Sequence, residues 1–391
     1  MYRCEPIIGF LLLTASLGPL ASLAHSAQWR LDYEMSAVHR QQGSGALAIS
    51  NPDETASTRS QKLDLMLSDR GFTVIPGLRQ EGEEPVRFDL REAYLDTRLA
   101  GLEWSIGRKV LEWDYGFLSR PLSWLGPNQE GAEYSAETLL LAEHYQGMTV
   151  WQAGCTVRLY DADELCLVRV EGFSGPVDWQ MLGGYEAGWR FGAGGQWIAT
   201  DALALRLTGS WVQNQQQLGW SANASEAPFY SSTPLHQQEA SGFRWNLGTT
   251  LTLPMNVELM AEHSWDESGL SHKSWQQIRD QVVQLNDEAA SDPGLYAQNL
   301  GWLSAAAGRE PLSEHRTLLR AQYQPADWQL EALALLLWTD TRPDRIDQLR
   351  LTYTALPLAD LELRWRHYPR DSILGELGQE WRFSLQVSTG G

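Results

Sequence analysis

Apolar and polar residues alternate with a period of two along much of this chain. In one stretch, Phe243, Trp245, Leu247, Thr249 and Leu251 occupy the odd positions, and polar residues or glycine occupy the even ones. The same alternation recurs at 257–265, 349–355, 361–366 and 380–387. Successive side chains on a β-strand point to opposite faces, so each stretch predicts a strand with one apolar and one polar face.

The lengths of these segments and of their connections distinguish a membrane barrel from a soluble β-sandwich. The segments run to about ten residues, which a tilted strand needs to cross a bilayer, whereas sandwich strands average five or six. Short connections such as 99–101 and 253–256 alternate with long ones at 112–134, 215–240 and 266–312. Short turns at one end and long loops at the other are typical of outer-membrane barrels.

The sequence therefore predicts an all-β fold, a transmembrane antiparallel β-barrel of about 18 strands. The weakest predicted hairpin lies near 60–79, and without it about 16 strands remain. Closure is required because an open sheet edge in hydrocarbon would leave backbone N–H and C=O groups without partners.

Residues 1–27 have the features of a secretory signal peptide. Arg3 precedes an apolar run from Ile7 to Leu13, and small residues follow near Ala24 and Ala27. We expect Sec-type export, cleavage near residue 27, and a barrel formed by 28–391. No later stretch is long and apolar enough for a membrane-spanning helix.

Composition and charge limit the kinds of molecule that this chain is expected to contact. The chain contains 18 Trp but only 9 Phe, and Trp favours the boundary between hydrocarbon and water. A formal charge of −19 argues against nucleic acid as a partner, which would require a basic surface. Lipid of the outer membrane is the expected surrounding.

Two cysteines remain after the predicted cleavage, Cys155 and Cys166, on either side of the turn-like sequence YDAD. A tight hairpin there would place them nearly opposite each other, and an oxidising compartment would permit a disulfide. The alternative is two unbonded thiols on the outer face, because a shift of one residue in the turn breaks the register.

The stretch LREAYLDTRLAGLEWSIGRKVLEW, residues 90–113, predicts two strands around a three-residue turn. Leu102, Trp104 and Ile106 would face lipid, and Glu103, Ser105 and Gly107 would face the lumen. In the preceding strand, strict alternation would place apolar Leu90 and acidic Asp96 on the same face. This indicates either a β-bulge or charges near the membrane interface.

This stretch also resembles a segment of porin-like Gram-negative outer-membrane β-barrels of the alginate-export and related large-barrel families. The matching residues are LREAYLD, then a turn, then GRK followed by an aromatic residue. The resemblance covers about 25 residues and implies a barrel in the outer membrane of a Gram-negative cell.

The polar phase of the predicted strands identifies candidate pore-lining residues. A barrel of this size leaves an aqueous channel, and arginines in its wall would favour anionic or polyhydroxylated solutes. Alternatively, these charges pair across neighbouring strands and only stiffen the wall. The candidates are Arg206, Arg244, Glu258, Glu262, Arg316, Arg320, Glu331, Arg350, Glu362, Arg364, Arg366 and Arg382.

Two connections are candidates for narrowing the channel. Loop 266–312 has apolar residues at helical spacing, including Trp275, which predicts a helical extracellular loop that partly occludes the lumen or caps it outside. The segment 115–128 brings Arg120 and Trp124 as possible solute contacts, although an exposed surface loop is the more usual interpretation.

No catalytic pattern is present. The eight histidines are scattered, and the adjacent pair His263 and Ser264 would point to opposite faces of a strand. We expect no enzyme activity, cofactor or metal site.

The sequence thus predicts a monomeric outer-membrane channel for a small solute. Two alternatives stay open: an export conduit for a polysaccharide or lipid-like product, working with an inner-membrane transporter, and a non-conducting scaffold or receptor.

Overall fold

Eighteen antiparallel strands form one closed barrel. Each strand pairs with its neighbours in sequence, and β1 pairs with β18, so the sheet has no free edge. The count of 18 is confirmed over the alternative of 16, because β2 and β3 form the hairpin that the sequence indicated least clearly. The computed structural model describes residues 28–41, 56–125, 136–157, 164–220, 235–276, 313–338, 343–356, 358–368 and 378–390.

The strands have the following bounds. They are β1 Gln28–Gln41, β2 Ala56–Asp69, β3 Phe72–Glu81, β4 Arg87–Leu99, β5 Leu102–Lys109, β6 Glu137–Gln146, β7 Thr149–Thr156, β8 Cys166–Ser174, β9 Val177–Tyr185, β10 Trp189–Thr200, β11 Leu203–Trp220, β12 Leu235–Leu253, β13 Val257–Asp266, β14 His315–Tyr323, β15 Trp328–Leu337, β16 Asp344–Leu356, β17 Ala359–His367 and β18 Gln379–Gly390. The predicted signal peptide, 1–27, lies outside the described residues.

The two faces of the sheet differ as the alternation predicts. Phe243, Leu247 and Leu351 are 45%, 51% and 36% exposed and lie on the outer face. Asn246 and Ser264, on the inner face, are buried. Large apolar side chains exposed around the whole outside suit contact with hydrocarbon, whereas the polar residues collect inside.

A β-bulge explains the phase break in the stretch 90–113. The register between β3 and β4 shifts at Ile75 and Pro76, which pair with Glu92 and Leu90. Leu90 before the shift and Leu95 after it are both exposed on the outer face. Asp96 therefore turns inward, where Ser105 Oγ donates to it at 2.6 Å. The prediction of a bulge is confirmed.

The turns at one end of the barrel are tight. Ala100 and Gly101, between β4 and β5, both have positive φ, as do Arg70 and Gly71 between β2 and β3. Two successive residues of positive φ form the turn whose twist matches a two-stranded antiparallel hairpin. The other end carries the long connections.

The connection predicted at 215–240 is shorter than expected. The backbones of β11 and β12 stay paired as far as Trp220 and Leu235. These polar, Gln-rich strand ends have no apolar residues at alternate positions, so the alternation did not predict them as strand. Backbone hydrogen bonds between strands do not require apolar side chains. Of the helical loop 266–312, the structure describes a single turn at 272–276, and 277–312 lies outside the described residues. Among the described residues, no helix has the length and apolar character needed to span a bilayer.

Candidate functional site

The connection between β5 and β6 begins with an irregular segment, residues 110–125, which we call the inner segment. It leaves the barrel wall after Lys109 and contacts nine strands, β6 and β8 to β15. These contacts determine where in the barrel it lies.

On one side the inner segment packs against β6, β8 and β9. Trp113, Leu122 and Leu125 form an apolar cluster with five wall residues: Leu139, Leu141, Leu165, Leu167 and Leu182. Gln180 of β9 donates a hydrogen bond to the Trp113 carbonyl. Arg169 of β8 lies over the Trp113 ring, 5.2 Å from its centroid.

On the other side the segment binds β12 and β13. The buried Glu262 carboxylate accepts the backbone N–H groups of Phe117 at 3.0 Å and Leu118 at 2.6 Å. Asn246 donates to the Ser119 carbonyl at 3.0 Å. A charged acceptor with several N–H donors forms strong hydrogen bonds when water is excluded.

The segment therefore lies inside the barrel. Every wall residue that it touches is on the face opposite to the exposed apolar side chains, and only the concave face brings β6 near β14. The interpretation of 115–128 as an exposed surface loop is wrong for residues 115–125, and 126–128 lie outside the described residues.

Two glycines of β10 make room for the inner segment. A Cβ atom at Gly192 would lie 2.4 Å from Leu122 Cδ2, and one at Gly194 would lie 2.9 Å from Leu122 Cδ1. Both distances are too short for carbon atoms in contact. The sequence FGAGGQ, residues 191–196, is thus part of a strand, and its glycines allow Leu122 to pack against the backbone.

The inner segment also folds on itself. Asp114 accepts the N–H groups of Gly116 at 3.0 Å and Leu122 at 2.6 Å. Burial raises the pKa of Asp114, and these N–H donors act in the opposite direction. Arg120 donates to the Gly116 carbonyl at 3.0 Å, and Trp124 donates to the Pro121 carbonyl at 3.1 Å.

The predicted pore-lining residues share the inner face with the buried polar side chains. The clearest group is a row of directly paired residues across four strands: Glu331, Arg350, Arg364 and Arg382. Three arginines side by side are unfavourable unless anions neutralise them, because like charges directly opposite each other in a sheet repel.

Some of these arginines are paired with carboxylates. Glu331 is buried and bonds Arg320 at 2.6 Å and Arg350 at 2.7 Å. Glu362 contacts Arg364 at 2.7 Å. Further pairs of this wall are Arg206 with Glu262, Arg320 with Glu258 and Arg350 with Glu362, at 3.4, 3.3 and 3.7 Å.

Three other arginines of this wall, Arg244, Arg366 and Arg382, have no ion pair within the part of the chain that the structure describes. Arg366 donates to the Gln348 amide oxygen at 2.8 Å and to the Tyr368 hydroxyl at 3.3 Å. Arg244 and Arg382 have no carboxylate partner there, and Arg316 is buried on the same face. The alternative of a wall held only by internal pairing thus accounts for some of the arginines but not for Arg366 or Arg382.

The opposite wall is acidic, which sequence reasoning missed. Glu103 of β5 and Glu143 of β6 are direct cross-strand partners, and Glu171 and Asp178 lie on the same face of β8 and β9. Burial raises the pKa of Tyr115 in the inner segment, and the nearby Asp178 and Glu171 carboxylates raise it further. The inner segment therefore lies between this acidic wall and the wall that carries the arginine row at 350, 364 and 382.

The remaining predicted residues lie elsewhere. Cys155 and Cys166 are joined by a disulfide between β7 and β8. Trp275 is buried in the helical turn 272–276. His263 faces outward and Ser264 is buried inside, so the two adjacent residues lie on opposite faces, as predicted. Within the described ranges, no group of three or more His, Cys, Asp or Glu is arranged to hold a metal ion.

Comparison with known proteins shows the fold. No protein family and no curated relative matches the sequence. Solved structures match by fold. The match to OccAB1 of Acinetobacter baumannii has 12% identity and a TM-score of 0.57, and it covers 93% of this chain and 96% of the OccAB1 chain. OccK11 (OpdR) of Pseudomonas aeruginosa has 11% identity, a TM-score of 0.56, and coverage of 93% and 96%. The outer membrane protein OprD of Pseudomonas aeruginosa has 9% identity, a TM-score of 0.52, and coverage of 94% for both chains.

These likenesses define the class by fold: a closed 18-stranded antiparallel barrel like that of the outer membrane protein OprD. At this level of identity they define the fold alone. The resemblance to the alginate-export families rests on residues 90–113, and none of the structures named above supports it.

Proposed function

We propose that this protein is an outer-membrane channel for small solutes that carry a negative charge or many hydroxyl groups. A closed barrel of this size holds water when its inner face is polar. The inner segment narrows that space and leaves a passage between charged walls. Position in a Gram-negative outer membrane accords with the apolar outer face and with the fold shared with the outer membrane protein OprD.

The observation that carries the proposal is the row of arginines at 350, 364 and 382. Two carboxylates, Glu331 and Glu362, contact the first two of them. Arg382 adds a charge that no carboxylate of the described residues balances, and Arg366 lies on the neighbouring strand one row away. Guanidinium groups in such a row offer an anionic or hydroxylated solute successive hydrogen-bond donors along the wall.

The two other functions that the sequence left open have less support. An export conduit for a polysaccharide or lipid-like product needs a wide passage, whereas the inner segment crosses the lumen. A non-conducting scaffold does not account for the arginine row. No feature of the described residues points to an inner-membrane transporter as a partner.

Solute flux into liposomes tests the proposal. Refolded protein would be given gluconate, sorbitol or glucosamine, which are of similar size but are anionic, neutral and cationic at neutral pH. We expect entry to be fastest for gluconate and slowest for glucosamine. Fastest entry of glucosamine, or entry of none of the three, would contradict the proposal.

A matched pair of arginine substitutions assigns the selectivity to the wall. We expect Arg382→Gln to reduce the ratio of gluconate to sorbitol entry. Arg345→Gln serves as the control, because this substitution also removes one positive charge. Arg345 belongs to β16, forms an ion pair with Asp347 and is exposed on the outer face. If both substitutions changed the ratio equally, bulk charge rather than the inner row would explain the selectivity.

A further inference from the structure

Two histidines lie side by side on the outer face of the barrel, at the end that carries the long connections. His263 belongs to β13, and His315 is the first residue of β14. His263 Nε2 and His315 Nδ1 are 3.5 Å apart, and the ring centroids are 5.7 Å apart. These nitrogens face each other rather than pointing to separate partners.

The separation of these nitrogens is close to that of two ligands on one metal ion. Zinc lies about 2.0–2.1 Å from a ligating imidazole nitrogen, and a tetrahedral angle then places two such nitrogens about 3.3–3.4 Å apart. We propose that His263 and His315 bind a divalent transition-metal ion such as Zn²⁺, Ni²⁺ or Cu²⁺, with water in its remaining coordination positions. Imidazole is a ligand that all three ions accept.

Thr317 positions the first of these ligands. It lies directly opposite His263 in the sheet, and its hydroxyl is 2.8 Å from His263 Nδ1. When Nδ1–H donates to Thr317, Nε2 carries the free electron pair that a metal requires. Trp338 also donates its indole N–H to the same hydroxyl oxygen at 2.8 Å, which fixes the hydroxyl in place.

The surroundings place the pair at the boundary between hydrocarbon and water. Trp245 lies 5.4 Å from the His263 ring, and Trp265 lies 6.3 Å from the His315 ring, measured between centroids. Indole rings favour this boundary in outer-membrane barrels. His315 is exposed and begins β14 beside a long connection, so an ion from the aqueous side reaches the two nitrogens at the membrane boundary.

Metal titration of the refolded, tag-free full chain in detergent micelles tests the proposal. We expect Cu²⁺ or Ni²⁺ to quench tryptophan fluorescence saturably, because the site lies next to two indoles, and calorimetry to detect Zn²⁺ binding. His263→Ala and His315→Ala should each abolish the saturable phase. His367→Ala is the matched control, since His367 also faces outward beside a tryptophan, with ring centroids 5.7 Å apart, but has no second imidazole next to it among the described residues.

Thr317→Val provides a second readout that separates ligation from packing. It keeps the branched shape and removes the acceptor for Nδ1–H, so we expect the affinity to fall about 10- to 100-fold while binding persists. The proposal is overturned if no saturable binding occurs below about 1 mM metal, or if both histidine variants bind as the wild type does. All four substitutions lie outside the lumen, so solute flux should stay unchanged whichever result is found.

Discussion

Buried carboxylates fix the position of the inner segment at the scale of single residues. Glu262 reaches from β13 into the lumen and accepts the N–H groups of two successive residues, Phe117 and Leu118. The same carboxylate lies 3.4 Å from Arg206, which balances its charge. A buried carboxylate is stable only with such partners, and the backbone of the segment supplies them.

Glu262→Gln should loosen the inner segment without unfolding the barrel. The amide loses the charge and turns a donor toward backbone N–H groups that are themselves donors. Because hydrogen bonds to charged groups contribute about 1.5–3 kcal/mol, we expect docking of the segment to weaken by about 2 kcal/mol. The measurement is single-channel conductance in a planar bilayer, which should rise and become noisier.

Glu258→Gln is the matched control for this substitution. Glu258 lies on the same strand and face, but its carboxylate is partly exposed and, among the described residues, forms an ion pair only with Arg320, at 3.3 Å. We expect little change in conductance. Equal increases for the two variants would show that wall charge, not the anchoring of the segment, controls the passage.

The sequence predicts the strands of the barrel much better than the connections between them. The alternation over 243–252 and its repeats located all 18 strands, because each strand contacts lipid on one face and polar groups on the other. The inner segment has no such local signal. Its position depends on contacts with Glu262 and Asn246, more than a hundred residues away in sequence, and on the absence of side chains at Gly192 and Gly194.

The glycines of β10 allow a test of the inner segment as an element. Gly192→Val would place carbon atoms where Leu122 now packs, so we expect the segment to be displaced and the conductance to increase. Gly183→Val is the control, because a Cβ at Gly183 would meet Phe191 at an ordinary 3.8 Å on the outer face. Unchanged conductance in a folded Gly192→Val protein would contradict the location of the segment.

The disulfide gives a second prediction for one element, the β7–β8 hairpin. Closing a short loop between Cys155 and Cys166 lowers the entropy of the unfolded chain. Cys155→Ala with Cys166→Ala should therefore reduce the free energy of unfolding by about 2–3 kcal/mol, measured in urea. Reducing agent should destabilise the wild type and leave the double variant unaffected, and an equal response of the two proteins would show that the bond contributes nothing.

The whole molecule combines a hollow barrel with an acidic wall on β5–β9 and an arginine row on the opposite wall. The arginines on the inner face of β11–β18 were predicted from the polar positions of the alternating strands. The acidic wall around Glu103 and Glu143 was not predicted, because the alternation turns Glu103 toward the lumen but cannot show which carboxylates lie beside it across the strands. The sequence also could not show that the segment with Tyr115 lies between the two walls, since that arrangement depends on closure of the barrel.

The most direct test of the hollow interior is the current through single refolded wild-type molecules in a planar bilayer with a salt gradient. We expect discrete, stable conductance steps and a reversal potential that indicates preference for anions. Absence of steps in the wild type, together with absence of steps in the Glu262→Gln and Gly192→Val variants, would contradict a water-filled channel.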